Sequence, residues 1–280
     1  MAMKKIVILG TLDTKGPEVK YVKELIEGRG HKAIVIDCAV MTGSYFVADY
    51  PPEEVARLSG TTLPEVRAIL QAGAALKIME RGAIKIVKEL YEGEDLDGIF
   101  GLGGGMNSTL ASAAMRELPV GVPKLLVTTK VNDPGSPQFY VGEKDVSLMP
   151  SIADIAGLNK VSKQILANAA FAISGMVDAP KIEKSGKAIV VLSMIGLTTG
   201  LGLTLKSILE DKGYEVVIFH SMGIGGRCLE SFVATDPDVV GVIEGCTWEI
   251  GNYLFGGRAN AGPHRLIEAG ERGLPQVIVP

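Results

Sequence analysis

Short apolar runs alternate along this chain with longer segments whose apolar positions recur every three or four residues. The runs at 5–10, 32–38, 97–102, 124–129 and 139–147 predict strands, and a second series follows at 187–194, 215–221, 239–244 and 275–279. Between them the helical period predicts helices at 17–29, 52–59, 63–92, 107–118, 152–177, 201–212, 226–234 and 262–272. Thr61 or Thr62 ahead of Pro64 supplies a helix start, and Gly73 and Gly82 weaken the middle of the long segment enough to divide it. Strand and helix in regular alternation predict an α/β fold of parallel sheets flanked by helices, with right-handed crossovers.

The alternation breaks at Ala179-Pro180-Lys181-Ile182-Glu183-Lys184-Ser185-Gly186, a short polar stretch with the composition of a linker. It then restarts with Ala188-Ile189-Val190-Val191-Leu192, a Gly/Thr loop and an amphipathic helix. The expected fold is two Rossmann-like doubly wound modules, one over 1–180 and one over 185–280. The last strand runs straight into Pro280, where an open α/β sheet carries its next ligand loop. If the chain is truncated there, the second module is incomplete at its C-terminus.

Composition supports this picture. Hydrophobic residues make up 47% and aromatics 5%, and the 35 glycines suit aliphatic buried strands joined by tight turns. A net charge of −4 without a long Lys/Arg run argues against general binding of duplex nucleic acid. Cys38, Cys228 and Cys246 are too scattered for a zinc motif or a disulfide framework, as expected of free thiols in a reducing cytoplasm. The N-terminal apolar run soon meets Asp13 and Lys15, so it does not read as a signal peptide. The uncharged stretch from Ala188 to Leu205 is about as long as a membrane span, but its Gly and Thr residues fit strand, loop and helix better. The expectation is a cytoplasmic protein without membrane contact.

The chemistry gathers at strand ends. Gly10-Thr11-Leu12-Asp13-Thr14-Lys15-Gly16 follows the first strand and lacks the Walker A order. Thr11 and Thr14 offer hydroxyls to phosphate or ribose, Lys15 offers positive charge, and Asp13 offers a carboxylate to Mg2+ through water. Asp13 or Thr14 reads equally well as a cap for the helix starting near Pro17. Gly103-Gly104-Gly105-Met106-Asn107-Ser108-Thr109 follows the third strand and is more specific. Successive glycines let backbone amides approach an anion, while Asn107 and Ser108 are placed to cap the next helix. A plain capped turn is the alternative. No GxGxxG fingerprint occurs at either loop, which disfavours NAD. Thr128-Thr129-Lys130 closes the neighbouring strand, and Tyr140-Val141-Gly142-Glu143-Lys144-Asp145 is a candidate further wall. In the second module, Phe219-His220 through Gly225-Gly226-Arg227 repeats the strand–loop–helix pattern, and Glu244 and Glu249 follow the next strand. His220 with either glutamate is a candidate acid–base pair, or His220 ties down a loop.

Taken together these segments resemble the ATP-binding-domain family related to the N-terminal region of the tomato mosaic virus resistance protein, most of whose members are uncharacterised microbial proteins. The resemblance runs from the two glycine-bearing loops through Leu118-Pro119-Val120-Gly121-Val122-Pro123-Lys124, Tyr140-Val141-Gly142, Asp154-Ile155-Ala156-Gly157-Leu158-Asn159 and Leu166-Ala167-Asn168-Ala169-Ala170. It continues through Gly196-Leu197-Thr198-Thr199, Phe219-His220, Gly225-Gly226-Arg227, Ala261-Gly262-Pro263 and Pro275-Gln276-Val277. It implies two Rossmann-like domains, ATP on the first with Mg2+, and a homodimer, without an established reaction. The chain departs from the family's usual Gly-Gly-Ser-Gly-Gly-Thr loop at 103–109, and from its threonine-rich stretch at Glu244-Gly245-Cys246-Thr247-Trp248-Glu249.

The nucleotide is therefore expected on Thr11, Asp13, Thr14, Lys15, Gly103, Gly104, Gly105, Asn107, Ser108 and Thr128. One alternative is an enzyme acting on a phosphorylated or carboxylated small molecule in the interdomain cleft, with His220, Glu244 or Glu249 moving a proton. Another is an ATP-regulated interaction protein whose apolar helix at 152–177 packs between domains or between subunits.

Overall fold

The computed structural model describes residues 2–180, 182 and 184–279. It divides into two compact units, Met1–Pro180 and Lys181–Pro280. Lys181 and Glu183 of the expected linker, and Pro280, on which the expectation of an incomplete module rests, lie outside the described residues.

The first unit holds β1 (Lys5–Gly10), α1 (Leu12–Gly28), β2 (Lys32–Asp37), α2 (Pro52–Leu58), α3 (Leu63–Arg67), α4 (Ala72–Glu92), β3 (Gly98–Gly103), α5 (Gly105–Arg116), β4 (Lys124–Thr128), α6 (Ser136–Val141), β5 (Ser147–Pro150) and α7 (Lys160–Asp178). All five strands are parallel, in the order β2-β1-β3-β4-β5. Alternate residues of the apolar runs serve opposite faces, which is why the runs are continuous. Val7, Leu9, Ile34, Ile36 and Ile99 meet the helices α2 to α5 on one face. Ile6, Ile8, Val35, Phe100 and Leu102 meet α1 and α7 on the other.

The second unit holds β6 (Ile189–Met194), a 3₁₀ turn at Gly196–Thr198, α8 (Thr199–Asp211), β7 (Glu215–His220), α9 (Ile224–Thr235), β8 (Val239–Glu244), α10 (Trp248–Phe255), α11 (Glu268–Glu271) and β9 (Gln276–Ile278). Its parallel sheet runs β7-β6-β8-β9. The α/β class with parallel sheets follows the sequence pattern.

Several elements differ from expectation. The strand expected at 139–147 is replaced by α6, which has proline in its first turn and stops at Gly142 with φ +57°, followed by the four-residue β5. The helix expected from 152 begins at Lys160, because Asn159 and Ser162 form a reciprocal cap there. Its apolar face is buried against α1, β3 and β4 of its own unit. The segment 63–92 divides at Ala68–Gln71 rather than at Gly73 or Gly82. The Thr62 capping box does open α3. α10 has no counterpart in the sequence reading, and the helix expected at 262–272 shrinks to α11.

Candidate functional site

The strand order reverses beside β1, so the connections from β1 and β3 leave in opposite directions and a crevice opens above their C-terminal ends. Open α/β sheets bind ligands at such a switch point. A cavity of about 510 Å³ occupies it. Thr11, Asp13, Thr14 and Lys15 line it from the β1 loop, and Cys38, Val40 and Met41 from the β2 loop. Ala72, Leu76 and Met79 line it from α4, and Gly104, Gly105, Met106 and Asn107 from the start of α5.

The β1 loop is held from below. Asp37, fully buried at the end of β2, accepts hydrogen bonds from the amides of Leu12 and Ala39, each 2.9 Å, and from the Ser44 hydroxyl. Burial raises the Asp37 carboxyl above its usual range, these three bonds oppose the shift, and the charge of Asp13 adds to it. The Cys38 thiol beside it is raised further, by burial and by Asp37, and stays a neutral wall of the cavity. Neither Asp13 nor Thr14 caps α1. Asp13 Oδ2 accepts from the Met41 amide at 3.0 Å, and Thr14 Oγ1 lies 2.9 Å from Thr11 Oγ1. α1 is kinked at Lys15, whose Nζ donates to the Ile155 carbonyl. Glu18, one turn on, accepts from the Gly157 amide at 2.6 Å.

The β3 loop differs in a decisive way. Gly104 is the N-cap of α5 and carries no side chain to satisfy the helix start. Asn107 and Ser108, expected to cap, turn away from it. Asn107 Nδ2 donates to the Leu102 carbonyl, while Ser108 Oγ contacts the Gly103 carbonyl at 3.2 Å and Thr128 Oγ1 at 2.7 Å. Thr128 in turn accepts from the Lys130 amide at 3.1 Å. Ser108 and Thr128 are fully buried, and their hydroxyls bond each other and so stabilise the loop. Among the described residues, no acceptor engages the amides of Gly105, Met106 and Asn107. They are left as free donors at the positive end of a twelve-residue helix. Asn107 Oδ1 is buried and also without a partner.

A second cavity of about 500 Å³ shares Gly104 and Gly105 with the first and extends over the loops that follow β4 and β5. The expected wall at 140–145 lines neither cavity. Tyr140 is core, and Asp145 binds the Lys124 ammonium at 2.7 Å and the Gly121 amide at 2.8 Å. Burial lowers the Lys124 pKa, with Asp145 opposing the shift.

In the second unit the acid–base candidates are not brought together as a proton-transfer site. His220 is exposed at the end of β7 and is hydrogen-bonded to neither glutamate. Glu244 and Glu249 are buried on Arg265, which sequence reasoning missed. Arg265 donates to Glu244 at 2.7 and 2.6 Å, to Glu249 at 2.9 Å and to Glu230 at 2.8 Å. Glu249 also accepts from the amides of Gly223 and Gly226, and Glu230 from those of Leu266 and Glu268. Burial works against the Arg265 charge, but Glu244 and then Glu249 outweigh it and raise the pKa. This cluster ties the 259–268 segment to α9, β8 and α10. Only its irregular spacing along the chain hides it from a sequence reading.

Among the described residues, no three or more His, Cys, Asp or Glu side chains are grouped to hold a metal, and no helix is long and apolar enough to cross a membrane.

Comparison with known proteins covers both units. Residues 4–181 match the family described as Uncharacterised protein family (UPF0261) N-terminal domain, and residues 187–280 match its C-terminal domain. A UPF0261 protein of Clostridium tetani is 41% identical over 278 residues, 99% of this chain and 68% of its own length. One from Rhizobium meliloti is 33% identical over 98% of this chain and 67% of its own. The tomato ToMV resistance protein Tm-1(GCR237) is 31% identical over 98% of this chain, which spans 39% of the tomato protein. Among solved structures, UDP-N-acetylglucosamine 2-epimerase from Rickettsia bellii aligns with 99% of this chain and 78% of its own at 14% identity. Its TM-score of 0.32 is too low to carry an argument about ligand or activity.

Proposed function

We propose that this chain, which belongs to the UPF0261 family, is a cytoplasmic ATP-binding protein whose first unit holds the nucleotide in the crevice above β1 and β3. One observation carries the reading. The same cavity joins three uncommitted amides at the start of α5 to an apolar wall of Val40, Met41, Leu76 and Met79. The amides suit phosphate and the wall suits an adenine ring. Lys15 adds positive charge beside the crevice, its ammonium held on the Ile155 carbonyl. Asp13 keeps one carboxylate oxygen uncommitted, which suits contact with Mg2+ through water, the metal resting mainly on the phosphates.

Asp37 favours ATP over NAD. Dinucleotide enzymes place an acid after the second strand on the ribose hydroxyls. Here the acid in that place is buried and taken up by Leu12, Ala39 and Ser44. The saturated burial of Glu244 and Glu249 lends no support to an acid–base enzyme built on them. The homodimer implied by the family resemblance stands as part of the proposal, and light scattering tests it directly: a monomer at micromolar concentration removes it.

Calorimetry with ATP, AMP and NAD tests the assignment. ATP is expected to bind most tightly, AMP more weakly through loss of phosphate contacts, and NAD least. Tight NAD binding with no response to ATP would reverse the reading.

A further inference from the structure

The cavity over the β4 and β5 loops differs in chemistry from its neighbour, yet both meet at Gly104 and Gly105. A Cβ built on Gly104 would lie 3.9 Å from Thr129 Oγ1, and one on Gly105 would lie 3.8 Å from Lys130 Cε. The β4 loop therefore lies within van der Waals reach of the start of α5. Among the described residues, no hydrogen bond engages the Thr129 hydroxyl or the Asn132 carboxamide. Lys130 is paired at 2.9 Å with Asp133, and both side chains are about half exposed, so the ammonium is free to turn inward.

Across the cavity, Asp154 uses one carboxylate oxygen for the Ile155 amide at 2.8 Å and keeps the other uncommitted. The rim loop carries Ile152 at φ +63°, a left-handed conformation that strains a β-branched residue. Ser151 Oγ donates to the Ala153 carbonyl at 2.7 Å and holds that turn. The lining contains one cation, one acid, neutral donors and no aromatic ring on which a base could stack.

We propose that this cavity is a second binding site, for a small hydroxylated oxyanion, either a carboxylate or a phosphate monoester. The anionic end lies against the Gly105 amide and Lys130, and the hydroxyls face Thr129, Asn132 and Asp154. The inference rests on the nucleotide reading in one respect: the shared glycine step then sets the oxyanion beside the nucleotide's phosphates. A single cation favours a monoanion or monoester over a second polyphosphate.

Saturation-transfer NMR on the whole chain tests this with D-glycerate and glycerol 3-phosphate as probes, each with and without ATP. Thr129→Val/Asn132→Leu removes two donors that make no internal bond, and Met106→Trp fills the mouth of the first cavity from an exposed position. The expected result is millimolar binding of at least one probe, weakened about tenfold or more by the double variant and retained in Met106→Trp. The tighter probe identifies the headgroup. ATP binding should show the reverse pattern, lost in Met106→Trp and largely kept in the double variant. Failure of both probes to bind, or equal binding by the double variant, overturns the second site while leaving the nucleotide reading intact. No ATP binding with the probe pattern intact would remove the nucleotide reading and leave this site standing.

Discussion

The side-chain amide of Asn107 donates to the carbonyl of Leu102, at the end of the strand that precedes its own helix. That bond turns Asn107 away from the amides it was expected to cap, and so keeps the first turn of α5 open to an anion.

Asn107→Asp replaces that donor with an acceptor facing the Leu102 carbonyl. The variant is expected to lose about 1–3 kcal/mol of stability and to bind ATP more weakly. Urea unfolding and calorimetry measure the two effects. Wild-type stability in the variant would show that the bond to Leu102 does not hold the loop.

Asp37 predicts a pH dependence. Its folded pKa is raised above the ordinary 3.8, chiefly by burial, so the charged form is less favourable in the folded protein than in the unfolded chain. Its contribution to stability is full below 3.8, falls as pH rises toward the raised folded value, and stays lost above it. Asp37→Asn keeps an acceptor for Leu12 and Ala39 without the charge. Its stability relative to wild type should therefore climb as pH rises through that window. Asp37→Ala, which loses all three bonds, should cost about 1–3 kcal/mol. A relative stability of Asp37→Asn that falls over the same window would contradict the account.

Arg265 balances three buried carboxylates in the second unit. Arg265→Met leaves Glu230, Glu244 and Glu249 without a cation and should destabilise that unit by about 3–5 kcal/mol. Arg265→Lys should rescue little, because an ammonium cannot reproduce the planar fork on three partners. Denaturation followed through Trp248, which lies in this unit, reads the effect. Full rescue by lysine would show that charge alone matters there.

Most of the fold was legible because buried parallel strands announce themselves as continuous apolar runs, and β1, β2, β3, β4 and β6 to β9 lie within about a residue or two of where the pattern puts them. The misreadings have local causes. Phe139-Tyr140-Val141 has strand composition, but Pro137 and Gly142 make it one short helix. α10 is only eight residues long and little buried, too short for a recurring apolar period to mark it. For the candidate site, residue types were legible but side-chain directions were not. Ser108 and Thr128 have hydroxyls suited to phosphate, and only the packing of α5 against β4 reveals that they bind each other. Asp37 and Arg265 went unnoticed because the backbone amides and distant glutamates that engage them leave no motif.

In the proposed site, phosphate rests on the backbone amides that follow Gly104, and ATP calorimetry on Gly104→Val probes that contact. The backbone there is extended, and a Cβ would meet no atom closer than 3.9 Å, so the variant should fold with a Tm close to wild type. The added branches enter the space that both cavities share at that residue. The account predicts a folded protein that no longer binds ATP. Wild-type ATP affinity in folded Gly104→Val would contradict it.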